Sequence, residues 1–526
     1  MYSMILADII KRWQQLKGRR ALLSTGVDEH GLKVQKAAQK ADKPTNEFCD
    51  SAAKVFSGLA EHAHVSNDYF ARTTGARHRD AVQYAWSMLQ DKEYIYESKH
   101  EGWYSISDET FVPESGVDIA VDPATGRKRH ISLETGKVVE WTSETNYKFR
   151  LSAFKDQLLQ HYKDNPEWIT PRFQYDLVRK EVESGLQDLS VSRPSERVQW
   201  GIQVPHDPSQ NIYVWLDALL NYTVQAGYPW APEKRFAGGW PADVQVIGKD
   251  IIRFHCIYWP AFLIALDLPP PKRIIAHGHW TIGGEKMSKS TGNVVNPFTI
   301  VNTYGVDAVR WFLALEGKME DDSDYNNLTL AAKYEEMRGK LGNFLTRLVR
   351  SKRWNMRKAL KTTLTPRGLD SLHFEKEDEA MRDNIGHLRD RISPAVDCHD
   401  IRASLAQIMQ TIAEANAYFH NQEPWRIVSK YGDPDDMSPR LLTILTLAAE
   451  SLRICGILLQ PYMPTKASQL LDQLGVDESH RSWQHAVLGA DTEYGQRIST
   501  TGKVLFPVIP RGLVSPRVGG ALPCEK

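Results

Sequence analysis

Ile5, Ile9, Trp13 and Leu16 recur at helical spacing near the start of the chain and predict an amphipathic helix over residues 5–17. A short strand is predicted over Arg20–Ser24. It runs into the polar stretch Thr25-Gly26-Val27-Asp28-Glu29-His30-Gly31, beyond which helical patterning resumes. A polar loop after a strand and before a helix is where open α/β sheets hold ligands. Between about Glu97 and Lys148 the pattern turns alternating and turn-rich, as in Gly102-Trp103-Tyr104 and Val138-Val139-Glu140-Trp141, which predicts a small β-rich insertion. Helical spacing returns near Ser152. Strands are predicted at Ile212-Tyr213-Val214-Trp215, Val244-Gln245-Val246-Ile247 and Arg273-Ile274-Ile275-Ala276, short apolar runs of the kind parallel strands make when both faces are buried. From Asn326 to Gly475 the pattern is helical almost throughout and points to a separate all-α domain.

Length and composition then bound the architecture. The 526 residues leave room for about three or four domains of ~100–200 residues each. Hydrophobic residues at 42% and charged residues at 25% suit ordinary globular domains with sizeable cores. The longest apolar region is read around Cys256 to Leu266, broken by Pro260 and too short to span a bilayer, so no membrane association is expected.

Lys plus Arg equals Asp plus Glu at 65 each, so the net charge does not single out a polyanion. Its distribution is more informative: Met337 to Leu369 holds no acid, yet contains Arg338, Lys340, Arg347, Arg350, Lys352, Arg353, Arg357, Lys358, Lys361 and Arg367. Such a block is either a solvated face or a nucleic-acid footprint. Cys49, Cys256, Cys398, Cys455 and Cys524 are scattered, with no CxxC pair to hold zinc, and read as buried thiols of a reducing compartment.

The stretch Lys286-Met287-Ser288-Lys289-Ser290 lies between Gly283-Gly284 and Thr291-Gly292-Asn293. Two lysines three apart in a flexible, hydroxyl-rich loop suit a grip on a triphosphate, each being a compact charge on a mobile stem. The plain alternative is an exposed basic loop.

Other motifs decide between these. Asp28-Glu29-His30-Gly31, Leu189-Ser190-Val191-Ser192-Arg193, Tyr213-Val214-Trp215-Leu216-Asp217-Ala218, Gly248-Lys249-Asp250 with Phe254-His255, the two-lysine loop and Glu423-Pro424-Trp425 occur together. In this combination the chain resembles the methionyl-tRNA synthetases, class I aminoacyl-tRNA synthetases, from Met1 to about Pro510. The resemblance implies an α/β fold: a Rossmann-type parallel sheet, truncated at its N-terminus, a small β-rich insertion without zinc, and an all-α anticodon-binding bundle. The corresponding boundaries are 1–96 and 151–280 for the two catalytic halves, 97–150 for the insertion, 281–325 for the two-lysine loop and stem-contact region, 326–510 for the bundle and 511–526 for a tail.

Position by position, the resemblance implies that Asp28, Trp215, Tyr222 and His255 bind methionine. It implies that Gly248, Asp250, Lys286, Ser288 and Lys289 bind ATP, and that Lys286, Lys289 and Arg193 serve catalysis. Asn343, Arg347 and Trp425 match anticodon-reading positions. Asn343, Arg347 and Arg350 also fall at i, i+4 and i+7, opposite a stripe of Leu341, Leu345 and Leu348. The implied reaction joins L-methionine to ATP, with Mg2+, to form methionyl-adenylate and pyrophosphate, then transfers methionine to tRNA(Met). A monomer is expected.

The family's His-Ile-Gly-His signature is absent, and Met1-Tyr2-Ser3-Met4 resembles the segment just after it. An internal methionine taken as the start, a deliberate truncation and a degenerate relative are the competing explanations. The first is favoured because the two-lysine loop and pocket residues remain intact. The missing signature puts activity in question, and a noncatalytic tRNA-binding relative is the alternative function. The arginine motif continuing through Trp200-Gly201-Ile202, the metal-free insertion and the ending near Phe506-Pro507 resemble the mitochondrial or bacterial branch, implying the mitochondrial matrix or, alternatively, a bacterial cytoplasm. The tail from Arg511 is expected to be disordered.

Overall fold

The structure, a computed structural model, describes residues 1–105, 110–121, 126, 128–231, 233–234, 238–287, 293–365, 369, 372–428, 433–499 and 503–510. The chain divides into two compact units: residues 24–58 with 67–277, and residues 1–23 with 59–66 and 278–526.

In the first unit, Ser24–Val27 pairs in parallel with Tyr69–Arg72. The strand thus begins where the sequence reading ended it: Arg20–Leu23 is not strand. The reason lies at Gly26, opposite Ala71, where a Cβ would come within 2.2 Å of the Ala71 carbonyl oxygen. Glycine, which weakens a strand by propensity, is the residue that lets this close pairing form. A second parallel sheet has Ile274–His277 between Gln245–Gly248 and Ile169–Thr170. All four residues of its middle strand are buried, as expected for a strand covered on both faces.

The expected β-rich segment is present, dominated by antiparallel pairing of Ile95–Ser105 with Glu140–Phe149. Trp86, Phe149, Phe154, Trp168, Trp259 and Phe262 lie in the surrounding apolar core.

The strand expected at Ile212–Trp215 straddles a boundary instead. Asp207–Ile212 pairs with Ser192–Pro194, Tyr213 is extended, and a helix runs over Val214–Gln225. Leu216, Leu219 and Leu220 bury at i, i+3 and i+4, so the helical period wins over the short apolar run.

The second unit is largely helical beyond residue 326, with Asn327–Met337, Ile401–Asn421, Pro439–Leu459 and Pro464–Leu474 among its helices. Pro439–Leu459, at 21 residues, displaces Cys256–Leu266 as the longest apolar segment and is long and apolar enough to cross a membrane. It is 94% buried over its most apolar window, so it is enclosed by protein on nearly every side. Leu341, Leu345 and Leu348 are buried as their stripe predicted. Among the cysteines, Cys49, Cys256 and Cys455 are buried, but Cys398, just past the helix Leu388–Asp397, is exposed, contrary to expectation. Cys524 lies outside the described residues.

Three distant segments of this unit meet at Arg310. Its Nη2 donates to Asp8 Oδ2 at 2.6 Å and to the Pro461 carbonyl at 2.9 Å. Its Nε donates to the Tyr462 carbonyl and Nη1 to that of Ala63, both at 3.1 Å.

Candidate active site and nucleic-acid face

The polar loop after Ser24–Val27 is held at successive residues. Glu29 is buried; Arg72 Nε donates to its two carboxylate oxygens at 2.9 and 3.1 Å, and Thr74 Oγ1 donates to the same carboxylate. The Glu29 amide donates to Thr73 Oγ1 at 3.0 Å, and its carbonyl accepts from Trp200 Nε1 at 2.6 Å. The Gly31 amide donates to the Trp200 carbonyl at 3.0 Å. His30 Nδ1 lies 2.7 Å from Asp217 Oδ2, and His78 Nε2 lies 2.6 Å from Asp217 Oδ1. Asp28 is left exposed at the head of this pinned loop.

The helix Val214–Gln225 carries Trp215 and Tyr222 as well as Asp217. Tyr222 Oη is 2.9 Å from His255 Nε2. Burial raises the Tyr222 pKa, and the charge of Asp28 adds to the rise, so the phenol stays protonated and Asp28 is electrostatically linked to it. His255 belongs to a wide helical turn over Phe254–Tyr258, and its Nδ1 lies 3.0 Å from the Ile251 carbonyl. A carbonyl only accepts, so Nδ1 carries the proton and Nε2 receives the tyrosine hydroxyl. Trp215 stacks on neighbouring Phe254, with centroids 3.6 Å apart and planes 13° from parallel. Tyr222 and His255 therefore form a neutral, largely aromatic pair, and Trp215, seven residues before Tyr222 on the same helix, stacks on the neighbour of His255; such side chains suit a polarizable apolar group.

Burial pulls the His255 pKa down to about 4. An unfolded chain would protonate this imidazole near a pKa of about 6.5, so from there down to the folded value the unfolded state holds the extra proton. Stability is then lost on acidification by up to about 1.4 kcal/mol per pH unit from this group. His255→Gln is expected to make the acid limb shallower by about one proton, read from urea unfolding between about pH 4.5 and 7. An unchanged slope would show that this histidine titrates alike in both states.

Gly248 ends the strand Gln245–Gly248, and Lys249–Ile251 forms a short turn that displays exposed Asp250 and supplies the carbonyl bound by His255. Arg193 is buried on Ser192–Pro194: its Nη1 donates to Ser190 Oγ at 2.9 Å and to the Ser192 carbonyl at 2.7 Å. Its guanidinium lies 4.5 Å from the Tyr213 ring centroid and 5.4 Å from that of Tyr104. Arg193, Tyr104, Tyr213, Trp200, His30 and Gly31 line one cleft.

In the other unit, Gly283 and Gly284 form the two-residue turn of a hairpin between Trp280–Ile282 and Glu285–Lys286, with φ of 61° and 79°. Positive φ at both positions is what such a tight hairpin demands, and glycine meets it without strain. Lys286 is therefore the exposed end of a strand, opposite Thr281, where a loop residue was expected. Ser288 and Lys289 lie outside the described residues.

Also in that unit, Asn343 and Arg347 are exposed on the helix Asn343–Val349, and Arg347 reaches Asn416 by a hydrogen bond. The Arg347 guanidinium lies 5.6 Å from the Phe419 ring centroid, and the Trp425 ring is 6.5 Å from Phe419 and 5.6 Å from His420. Phe419 thus brings Arg347 and Trp425 to one face. Arg353 Nη1 donates to the Trp425 carbonyl at 2.6 Å. The basic block is not uniformly available: Arg338 pairs with Glu335, Lys340 with Glu336, and Arg350 and Arg357 donate to the carbonyls of Lys503 and Ile498.

Tyr104, Trp200, His78 and Asp217 escaped the sequence reading as site residues. Asp217 did leave a signal: an acid inside the apolar helical run Leu216–Leu220 needs a buried partner. His78, between Arg77 and Arg79, left none.

The family model for tRNA synthetases class I (M) matches residues 1–349. A probable mitochondrial methionine–tRNA ligase of Neurospora crassa is 47% identical over 514 residues, spanning 96% of this chain and 82% of that protein. The human mitochondrial methionine–tRNA ligase is 41% identical over 529 residues, spanning 98% of this chain and 87% of that protein. The crystal structure of Mycobacterium tuberculosis methionyl-tRNA synthetase bound by methionyl-adenylate superposes with a TM-score of 0.85 at 36% identity, over 96% of each chain.

Proposed function

The chain belongs to the class I methionyl-tRNA synthetases, and from that premise we propose how its residues divide the work of a methionine–tRNA ligase. Methionine and ATP are its small substrates and tRNA(Met) its acceptor. Asp28 receives the ammonium of methionine, while Trp215, Tyr222 and His255 enclose the thioether. The observation that carries this assignment is the neutral Tyr222–His255 pair beside the acidic loop head: an apolar side chain meets no charge at one end and the ammonium meets a carboxylate at the other. Gly248 and Asp250 contact the ribose, glycine by close backbone approach and aspartate by accepting from the hydroxyls.

Arg193 and Lys286, with Ser288 and Lys289, stabilise the charge that moves among the phosphates of Mg–ATP as the methionine carboxylate attacks the α-phosphorus. Attack joins carboxylate oxygen to phosphorus and releases pyrophosphate. The terminal ribose of the tRNA then takes the methionyl group and AMP leaves. Residues 97–150 act as a connective insertion, 281–325 as the stem-contact region and 326–510 as the anticodon-binding domain, the work being done in the mitochondrial matrix. Methionine-dependent ATP–pyrophosphate exchange, together with charging of a tRNA(Met) transcript, tests this assignment. Tight tRNA binding without exchange would point instead to a noncatalytic tRNA-binding relative.

Asn343, Arg347 and Trp425 read the anticodon, the first two by hydrogen bonds and the tryptophan by stacking. Stacking on an exposed base is worth about 1–3 kcal/mol. Trp425→Ala is therefore expected to lower kcat/KM for tRNA charging by about 5- to 150-fold, with pyrophosphate exchange unaltered. Equal losses in both assays would mean a folding defect and remove Trp425 from recognition.

A further inference from the structure

We propose that Asp217, held between His30 and His78, is a positioning residue that locks the loop bearing Asp28 to the helix bearing Trp215 and Tyr222, and so sets the spacing between the two ends of the methionine site. The inference rests on the methionine-binding reading above and adds a determinant that touches no substrate.

Its geometry is specific. Asp217 is fully buried, and each of its oxygens faces a different imidazole, His30 at 2.7 Å and His78 at 2.6 Å. His30 comes from the loop after Ser24–Val27 and His78 from the helix Ala76–Asp91, so three elements converge on one carboxylate. Burying a carboxylate is costly, and an apolar residue of similar volume would serve packing alone at least as well. What the carboxylate adds is direction: one oxygen ties the helix to the loop through His30, and the other braces it against the helix Ala76–Asp91 through His78. Asp217 lies two residues from Trp215 and five from Tyr222 on the same helix, and His30 lies two residues from Asp28. A shift between loop and helix would therefore separate the ammonium acceptor from the thioether pocket. A small ligand that must satisfy both ends at once loses affinity when they drift, since weakening one hydrogen bond to a charged group can cost about tenfold or more.

The test uses the full chain, with methionine itself as the probe in titration calorimetry, alongside KM values for methionine and ATP in pyrophosphate exchange. Asp217→Asn leaves one acceptor for two histidines. His78→Gln removes the far partner without touching the loop, so it remains informative if the first variant folds poorly. Each is expected to weaken methionine binding about tenfold and raise its KM in parallel, with the KM for ATP within about twofold. Both changes together should be no worse than Asp217→Asn alone, because they break one device.

Unchanged methionine affinity in folded His78→Gln, or equal losses for methionine and ATP, would overturn the proposal. Failure of the unsubstituted chain to bind methionine would instead defeat the underlying binding reading. Binding by the unsubstituted chain that the variants match would defeat the clamp alone.

Discussion

Lys289→Ala is expected to slow methionine-dependent pyrophosphate exchange by about 10²–10³-fold while leaving the calorimetric affinity for methionine almost unchanged. The asymmetry follows from where the charge is. In the assignment proposed above, methionine binding calls on Asp28 and the neutral side chains of Trp215, Tyr222 and His255, none of which needs a lysine. Bond formation at the α-phosphorus, by contrast, drives charge onto departing pyrophosphate. A cation placed there stabilises the transition state more than the ground state, and only that difference accelerates the reaction. With Gly283 and Gly284 closing a tight turn, Lys286 is fixed at a strand end; Lys289, three residues on in the sequence, lies outside the described residues. Exchange reduced less than about fivefold would take Lys289 out of the phosphate grip. A fall in methionine affinity matching the fall in rate would show that it acts on binding instead.

The contrast between Trp215 and His78 shows what was legible in the sequence. Trp215 could be singled out because it sits in a dense motif, Tyr213 to Ala218, even though its secondary structure was misread. Four apolar residues fit a strand or the start of a helix equally well, and the decision came from pairing of Asp207–Ile212 and burial of Leu216, Leu219 and Leu220. His78 could not be singled out, because its role exists only once a helix 139 residues away in sequence turns Asp217 towards it.

Gly26 failed as a strand signal for a related reason: the close approach of Ala71 that makes glycine necessary is a tertiary fact. The exposed face of Asn343 and Arg347 was more legible because a helix carries its own geometry. Spacing alone put Leu341, Leu345 and Leu348 on a buried side and Asn343 and Arg347 on the other. Spacing could not say that neighbouring Arg350 and Arg357 spend hydrogen bonds on backbone carbonyls of their own unit.

Arg310→Met should destabilise its unit by about 3–5 kcal/mol at neutral pH, because it leaves Asp8 buried beside fewer compensating charges. Both side chains are fully buried, and Arg310 also satisfies the carbonyls of Ala63, Pro461 and Tyr462, so the substitution strands acceptors in three chain segments. Burial pushes the Asp8 carboxyl up, but Arg310, Arg12 and the Ser66 hydrogen bonds outweigh it and hold the group below the usual carboxylate range. A depressed carboxylate contributes stability that is present above the unfolded value of about 3.9 and is lost as pH falls through the folded value. In the variant the strongest opposing charge is gone and burial raises the carboxyl's proton affinity, so the deficit relative to the parent should be greatest near neutrality and shrink on acidification. Adding Asp8→Asn removes the stranded charge and should return part of the loss, whereas two independent defects would add. Urea unfolding of the parent, the single variants and the pair at about pH 7 and pH 4 measures each of these quantities. A cost below about 1 kcal/mol, or a deficit that grows in acid, would mean that Asp8 is not held ionised by Arg310.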